Sequence, residues 1–186
     1  TIAGMKEAGA YKPGFPVVVG FAGEACTGKT TTAHLLAPVG ALSTDRRLTA
    51  WEHVFFSMPM YELASIRRKV EGEDAHDRMA YAVHEVLVDV FGLPGYGAPS
   101  YVDLVDLVAE VCLYPLHMLD DEKPRVFLQW VGTRIRDLSP DAFIRWMQKK
   151  INSNYAFWKS QLQEPEDKDY DDEYPPYVAV LSDIRL

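Results

Sequence analysis

The sequence has few cysteines, an excess of acidic over basic residues, and no long hydrophobic run. Its 186 residues include only Cys26 and Cys112, so we expect no disulfide framework and a reducing compartment, the cytoplasm. A formal net charge of -8 at pH 7 argues against a nucleic acid polymer or an anionic membrane as a partner, because both require a basic face. The five histidines lack the spacing of a zinc site.

The remaining composition is that of a chain able to build a core. Hydrophobic residues make up 48% of the sequence and aromatic residues 12%, and the length favours one domain covering residues 1–186. Neither an internal repeat nor a linker of domain-boundary length is visible. The segment Glu164 to Glu173 contains seven carboxylates, which predicts a solvated loop or lid tip rather than a packed element.

Short apolar segments predict three buried strands, at Val17 to Phe21, His53 to Ser57 and Tyr177 to Ser182. Apolar residues spaced three and four apart predict helices at 29–37, 59–71, 77–91, 100–114, 123–138 and 139–154. This pattern is typical of an α/β protein with a parallel sheet flanked by helices. Because such sheets usually have about five strands, we expect further strands beyond Leu186 to complete the sheet.

The segment GEACTGKT lies between the first predicted strand and the first predicted helix. It fits the phosphate-binding pattern G-x-x-x-x-G-K-T through Gly23, Gly28, Lys29 and Thr30. Glycines let the backbone N–H groups wrap around a phosphate, and the helix amino end adds positive partial charge. The residues expected to contact ATP are Gly23, Ala25, Cys26, Thr27, Gly28, Lys29, Thr30 and Thr31.

Two residues are candidates for holding Mg²⁺ beside this loop. The Thr30 hydroxyl occupies the metal-binding position of the pattern, and Asp183 follows the third apolar strand, as does the acidic residue of P-loop enzymes. The alternative for Asp183 is a carboxylate that caps a turn at the strand end. Lys29 is expected to reach the β- and γ-phosphates.

Arginines that follow the loop could clamp a phosphorylated acceptor, because guanidinium matches phosphate bidentately. Arg134 and Arg136 stand out because, with Gly132, they interrupt an apolar helix, and Arg185 lies two residues beyond Asp183. The other candidates are Arg67, Arg68, Arg125 and Arg145, each of which could instead lie on a solvated face. Aromatic residues could stack on a base or pack in the core; these are Tyr61, Trp130 and Trp146.

Four blocks in order after the loop resemble those of phage deoxynucleoside monophosphate kinases and their P-loop kinase relatives. The blocks are FFSMPMYELA, KPRVFLQWVGT with RIRD, SPDAFIRWMQKKI and VLSDIR. They are similar to that family's Phe-Ala-x-Pro-Leu-Lys segment, its Leu-Gln-x-x-Gly-Thr segment, its Pro-Asp-x-Trp helix and its strand ending in Asp-x-Arg. The sequence departs from the family at Ser57, Met58, Met60, Tyr61 and Phe143, which leaves the acceptor base open.

The resemblance implies a P-loop kinase fold with a helical acceptor-site or lid insertion. It implies catalytic roles for Lys29, Arg134, Arg136, Asp183 and Arg185, and places Tyr61, Gln129, Thr133 and Arg134 near the acceptor nucleotide or lid. The expected reaction moves the γ-phosphoryl of ATP, with Mg²⁺, onto a deoxynucleoside monophosphate in the cytoplasm, or the host cytoplasm if the chain is phage-encoded. A monomer and a homodimer both remain open. The alternatives are another small-molecule P-loop kinase and a nucleotide-binding regulatory or assembly protein.

Overall fold

A computed structural model describes residues 15–22, 29–37, 50–70, 74–161 and 177–184. Within these ranges the chain is α/β, with a three-stranded parallel sheet flanked by helices. The described residues within 1–56 and 148–186 form one compact unit, called here the sheet unit. Those within 57–147 form a second compact unit, called the helical unit. The expected acidic loop at Glu164 to Glu173 lies outside the described residues.

The sheet unit is built on strands β1 (Val17–Ala22), β2 (Ala50–Phe55) and β3 (Tyr177–Ile184). Their order is β1-β3-β2, and β3 pairs in parallel with both neighbours. β3 is buried from Tyr177 to Ser182, as expected of a strand covered on both faces. The three predicted strands are confirmed, but the bounds His53 to Ser57 are wrong because pairing with β3 draws Ala50, Trp51 and Glu52 into β2.

One face of the sheet is covered by α1 (Lys29–Leu36). The buried side chains that join helix and sheet are Ala33, Ala37, Val17, Val178 and Val180. Small residues at two positions one turn apart let the helix approach the strands closely. The helix predicted at residues 29–37 is thereby confirmed.

The other face is covered by the second half of α6 (Ala142–Gln161). Trp158 is 2% exposed, and its ring lies 5.6 Å from that of Tyr177 and 5.9 Å from that of Tyr155. Consecutive side chains of a strand point to opposite faces of the sheet. Tyr177 contacts α6 and the next residue, Val178, contacts α1, so the two helices lie on opposite faces. The predicted bounds of 139–154 are wrong at both ends: Pro140 and Asp141 precede the helix, and the packing of Trp158 extends it by two turns.

The helical unit contains α2 (Met58–Lys69), α3 (Ala75–Glu85), α4 (Tyr101–Leu113) and α5 (Arg125–Leu138). A π-helical turn, Val86–Val90, extends α3, and a short 3₁₀ helix, Leu116–Leu119, precedes α5. Of the apolar stripe predicted at Met79, Val83, Val86, Leu87 and Val90, the first four residues are buried and Val90 is half-buried. Gly92 adopts a φ of 67° just beyond the π turn, a left-handed conformation that favours glycine. None of the helices in the described ranges combines the length and apolar content needed to cross a bilayer.

Candidate functional site

The loop that carries the phosphate-binding pattern joins β1 to α1. β1 ends at Ala22 and α1 begins at Lys29, so the helix starts at the last two residues of the pattern and Thr31 lies exposed in its first turn. The first backbone N–H groups of an α-helix have no partner within the helix and attract anions. Residues 23–28, including Gly23, Ala25, Cys26, Thr27 and Gly28, and the side chains of Lys29 and Thr30 lie outside the described residues.

Asp183 lies on the strand next to the loop. Because all strands are parallel, their carboxyl ends share one edge of the sheet, and ligands of α/β sheets bind outside that edge. Ala22, the last residue of β1, pairs with Ile184, which directly follows Asp183. The backbones of Asp183 and of the point where the loop leaves β1 are therefore neighbours. The side chain of Asp183 and all of Arg185 lie outside the described residues.

The pairing of β1 with β3 shifts register at this edge. Gly20 pairs with Leu181 and Ala22 with Ile184, so the interval on β3 is one residue longer than on β1. Such irregularities bend a strand and redirect its side chains, and they are frequent beside active sites. The shift falls on Ser182 and Asp183, one of which is the candidate metal ligand.

A buried polar pair lies one residue before Asp183. His53 Nε2 and Ser182 Oγ are 2.7 Å apart, and both residues are buried. The ring of His53 also meets that of Phe55 edge-on at 4.8 Å. This hydrogen bond links β2 to β3 beside the register shift. Sequence reasoning missed the pair, although a histidine and a serine inside otherwise apolar strands are the signal that could have revealed it.

The helical unit brings three of the predicted acceptor residues onto one face of α5. Gln129, Thr133 and Arg136 are spaced four and three apart, and all three are exposed. Thr133 Oγ1 accepts from Arg136 Nη2 at 3.4 Å and donates to the Gln129 carbonyl oxygen at 2.9 Å. The three side chains form a polar strip, called here the α5 strip.

Arg134 does not share that strip. Its Nε and Nη2 donate to the two carboxylate oxygens of Glu110 on α4, both at 3.0 Å. The hydrogen bond that Arg134 donates to Glu110 is the largest of the effects that raise the pKa of Arg134. About a third of the Arg134 side chain is exposed. A guanidinium held bidentately by a carboxylate has fewer donors left for a phosphate.

Close packing of α2 against α5 explains why residue 132 is a glycine. A Cβ atom at this position would meet Met60 Sδ at 3.1 Å and Phe143 Cζ at 3.9 Å, so the glycine lets α2 and α5 approach. Met60 and Tyr61 belong to the segment FFSMPMYELA, of which the resemblance places Tyr61 near the acceptor nucleotide or lid, and Tyr61 is half-buried on α2. The contact brings the start of α2 beside the middle of α5.

Three other arginines have structural partners. Arg67 Nε donates to the Tyr114 carbonyl oxygen at 2.9 Å, and Arg68 Nη2 donates to the carbonyl oxygens of Leu119 and Asp121. Arg145 binds the Asp141 carboxylate and lowers its pKa. Trp146 is buried, and the ring of Trp130 lies 5.0 Å from that of Tyr114, which favours the core alternative for both.

No cluster of three or more histidine, cysteine, aspartate or glutamate side chains that could hold a metal occurs among the side chains that the structure describes. No protein-family model matches the chain, and neither a curated protein nor a solved structure matches it. The features that bear on function are therefore the phosphate-binding motif, the carboxyl edge of the sheet and the α5 strip.

Proposed function

We propose that the chain is a P-loop kinase that transfers the γ-phosphoryl group of ATP to the phosphate of a deoxynucleoside monophosphate. One observation carries the proposal: GEACTGKT joins the carboxyl end of a parallel strand directly to a helix that begins at Lys29. The pattern indicates a phosphate-binding loop when it lies between a strand and a helix in this order.

The sheet unit would supply the ATP side of the reaction. Backbone N–H groups of residues 23–28 and of the first turn of α1 would hold the β- and γ-phosphates, together with the Lys29 ammonium. The oxygen donors of Thr30 and Asp183 fit Mg²⁺, which takes few protein ligands beside phosphates and water. The pairing of Ala22 with Ile184 supports this assignment, because it brings the Asp183 backbone to the edge where the loop begins. When bound, Mg²⁺ neutralises charge on the phosphates.

The helical unit would supply the acceptor side. Arg136 is exposed, and its guanidinium could bind the acceptor phosphate, while Gln129 and Thr133 beside it offer hydrogen-bonding groups. Arg134 would serve more as a positioning residue, because it is held by Glu110. The side chain of Tyr61, next to the Met60 contact with Gly132, is the candidate for contact with the base.

The chemistry requires little covalent work from the protein. Phosphoryl transfer proceeds in line, and catalysis comes from positioning the acceptor oxygen and neutralising charge on the transferred group. Lys29 would neutralise charge on the ATP phosphates, Arg136 would bind the phosphate of the acceptor, and Arg185 is a further cation two residues beyond Asp183. Exclusion of water is needed as well, since water would otherwise accept the phosphoryl group.

An acceptor screen tests the proposal. ATP and Mg²⁺ are incubated with each nucleoside and deoxynucleoside monophosphate and with a panel of other small-molecule acceptors, and ADP formation is measured with wild type, Lys29→Ala and Lys69→Ala. Lys69 is an exposed lysine at the end of α2, so its variant controls for loss of one positive charge. We expect turnover with at least one deoxynucleoside monophosphate, a loss of about a hundredfold or more in Lys29→Ala, and normal turnover in Lys69→Ala.

Two other outcomes would contradict the proposal and select its alternatives. Turnover only with acceptors that are not nucleoside monophosphates would indicate another small-molecule P-loop kinase. Tight ATP binding without any acceptor-dependent turnover would indicate a regulatory or assembly protein that uses ATP as a switch.

A further inference from the structure

An open groove lies between α3 and α4 of the helical unit. Its volume is about 370 Å³, and its lining is mainly apolar. The lining residues are Ala80, Tyr81, His84, Tyr101, Val105 and Val108. Pockets of this size and character hold the side chains of a ligand or of a partner.

The groove continues into exposed apolar surface. Tyr81 is 66% exposed on α3, and Val102 and Val105 are 68% and 44% exposed on α4. The ring of Tyr101 extends the surface, because it lies edge-on to His84 at 6.4 Å and to the exposed Tyr96 at 5.5 Å. Contiguous apolar surface of this kind, in contrast to single exposed residues, marks an interaction site.

The two helices that form the groove are strongly acidic. From Ala75 to Leu113 the sequence contains six carboxylates and one arginine, and it contains no lysine. Glu85 accepts a hydrogen bond from the Tyr81 hydroxyl, and this bond is the largest of the effects that raise the pKa of Tyr81; the charge of Asp89 adds to it. Negative charge therefore lies directly beside the apolar surface.

We propose that the groove between α3 and α4 docks an amphipathic helix of a partner protein, with apolar side chains on one face and lysine or arginine beside them. Apolar residues spaced three and four apart would enter between Tyr81 and Val105, as in other helix-in-groove complexes. Cationic residues flanking them would meet the carboxylates of α3 and α4. Charge distinguishes this occupant from the other possible ones. Like charges would be brought together by a second copy of this chain, with its net charge of -8, by an anionic membrane or by a nucleic acid.

A designed probe tests the docking surface. A fluorescein-labelled helical peptide of leucine and lysine, with leucines three and four apart, is titrated with the full chain and its anisotropy is measured at about 0.15 M salt. A second peptide has the same leucines and glutamate in place of lysine. The protein variants are Val105→Asp in the groove and Val126→Asp on α5, a matched valine that is 57% exposed and lies outside the groove.

The groove predicts a specific order of affinities. The lysine peptide should bind wild type and Val126→Asp equally, and Val105→Asp at least about tenfold more weakly, because one buried apolar contact is worth about that factor. Val105→Asp adds negative charge, so general attraction to an acidic protein would leave its affinity unchanged or higher. The glutamate peptide should not bind. Tyr81→Ser, at the more exposed side of the groove, should repeat the loss if Val105→Asp fails to fold.

Each of the remaining outcomes would overturn the proposal. If the lysine peptide bound Val105→Asp and wild type with equal affinity, its binding would be general electrostatic attraction. If the glutamate peptide bound, the binding would be nonspecific apolar contact. Sedimentation that shows a dimer of wild type, lost in Val105→Asp, would make a second copy the occupant. Binding of wild type to phosphatidylcholine vesicles but not to the lysine peptide would make the surface a lipid contact.

Discussion

Trp158→Ala should destabilise the sheet unit severely, because Trp158 is the main side chain by which α6 covers the second face of the sheet. The indole is 2% exposed and contacts the rings of Tyr155 and Tyr177. Truncating a buried tryptophan to alanine costs about 3–5 kcal/mol, through lost transfer free energy and the cavity left behind. In a chain of this size each 1 kcal/mol lowers Tm by about 2–4 °C, so the melting temperature should fall by roughly 6–20 °C.

The neighbouring aromatic residue supplies the control. Phe157 is 63% exposed, so Phe157→Ala should change the free energy of unfolding by less than about 0.5 kcal/mol. Both variants are measured by urea unfolding followed by far-ultraviolet circular dichroism, with Trp158→Phe as a milder change if the alanine variant does not fold. A loss below about 1 kcal/mol in Trp158→Ala, or equal losses in the two alanine variants, would refute the packing of α6 on the sheet.

Four further predictions concern single residues or contacts. Burial raises the pKa of Glu52, and Lys150 and Asn154 act in the opposite direction. The protonated form therefore favours the folded state, and the stability from this shift is lost as pH rises through the folded pKa. Glu52→Gln should gain stability over wild type as pH rises above the ordinary glutamate pKa of about 4.3, and a constant difference in urea midpoints would contradict this. Ser182→Ala should cost about 1–3 kcal/mol, because the buried His53 Nε2 loses its partner, whereas an unchanged thermal melt would show that the hydrogen bond contributes nothing. Arg134→Ala and Glu110→Gln should each lower stability by only about 0.2–1 kcal/mol, and Arg136→Ala should impair turnover with almost no change in Tm; a double-mutant cycle for Arg134 and Glu110 with zero coupling would rule out a structural pair.

Local features of the fold could be predicted from the sequence because they depend on residues close in the chain. β1 and α1 follow from one apolar run and from the helical pattern that comes after the glycine-rich motif. The buried stripe of α3 follows from the spacing of Met79, Val83, Val86 and Leu87. Pro59 marks the first turn of α2, since its missing N–H is not needed there.

Features that depend on distant residues could not be predicted. The start of β2 contains Glu52, which a strand tolerates here because Tyr177 and Asn154 both donate to its carboxylate. α6 extends past Asn154 because the ring of Trp158 packs against that of Tyr177 on β3. The central position of β3 in the sheet also depends on pairing across more than a hundred residues.

The candidate site divides in the same way. The phosphate-binding pattern is local, whereas the partner of Arg134 is 24 residues away on another helix. From the sequence, Arg134 and Arg136 beside Gly132 indicated a ligand contact. The structure gives two of the three a packing or pairing role: Gly132 admits Met60, and Arg134 binds Glu110. The α5 strip of Gln129, Thr133 and Arg136 is exposed, and it is the part of α5 that we propose contacts the acceptor.

Following the γ-phosphoryl group of ATP tests directly whether the chain transfers it to a deoxynucleoside monophosphate. ATP labelled in its γ-phosphate is incubated with wild type, Mg²⁺ and the best deoxynucleoside monophosphate from the screen, and the products are separated by chromatography. We expect the label to appear in the deoxynucleoside diphosphate, in equal amount to the ADP formed, and Lys29→Ala to abolish both. Label found in inorganic phosphate regardless of the acceptor, or in the diphosphate at the same rate with Lys29→Ala, would contradict the proposed kinase activity.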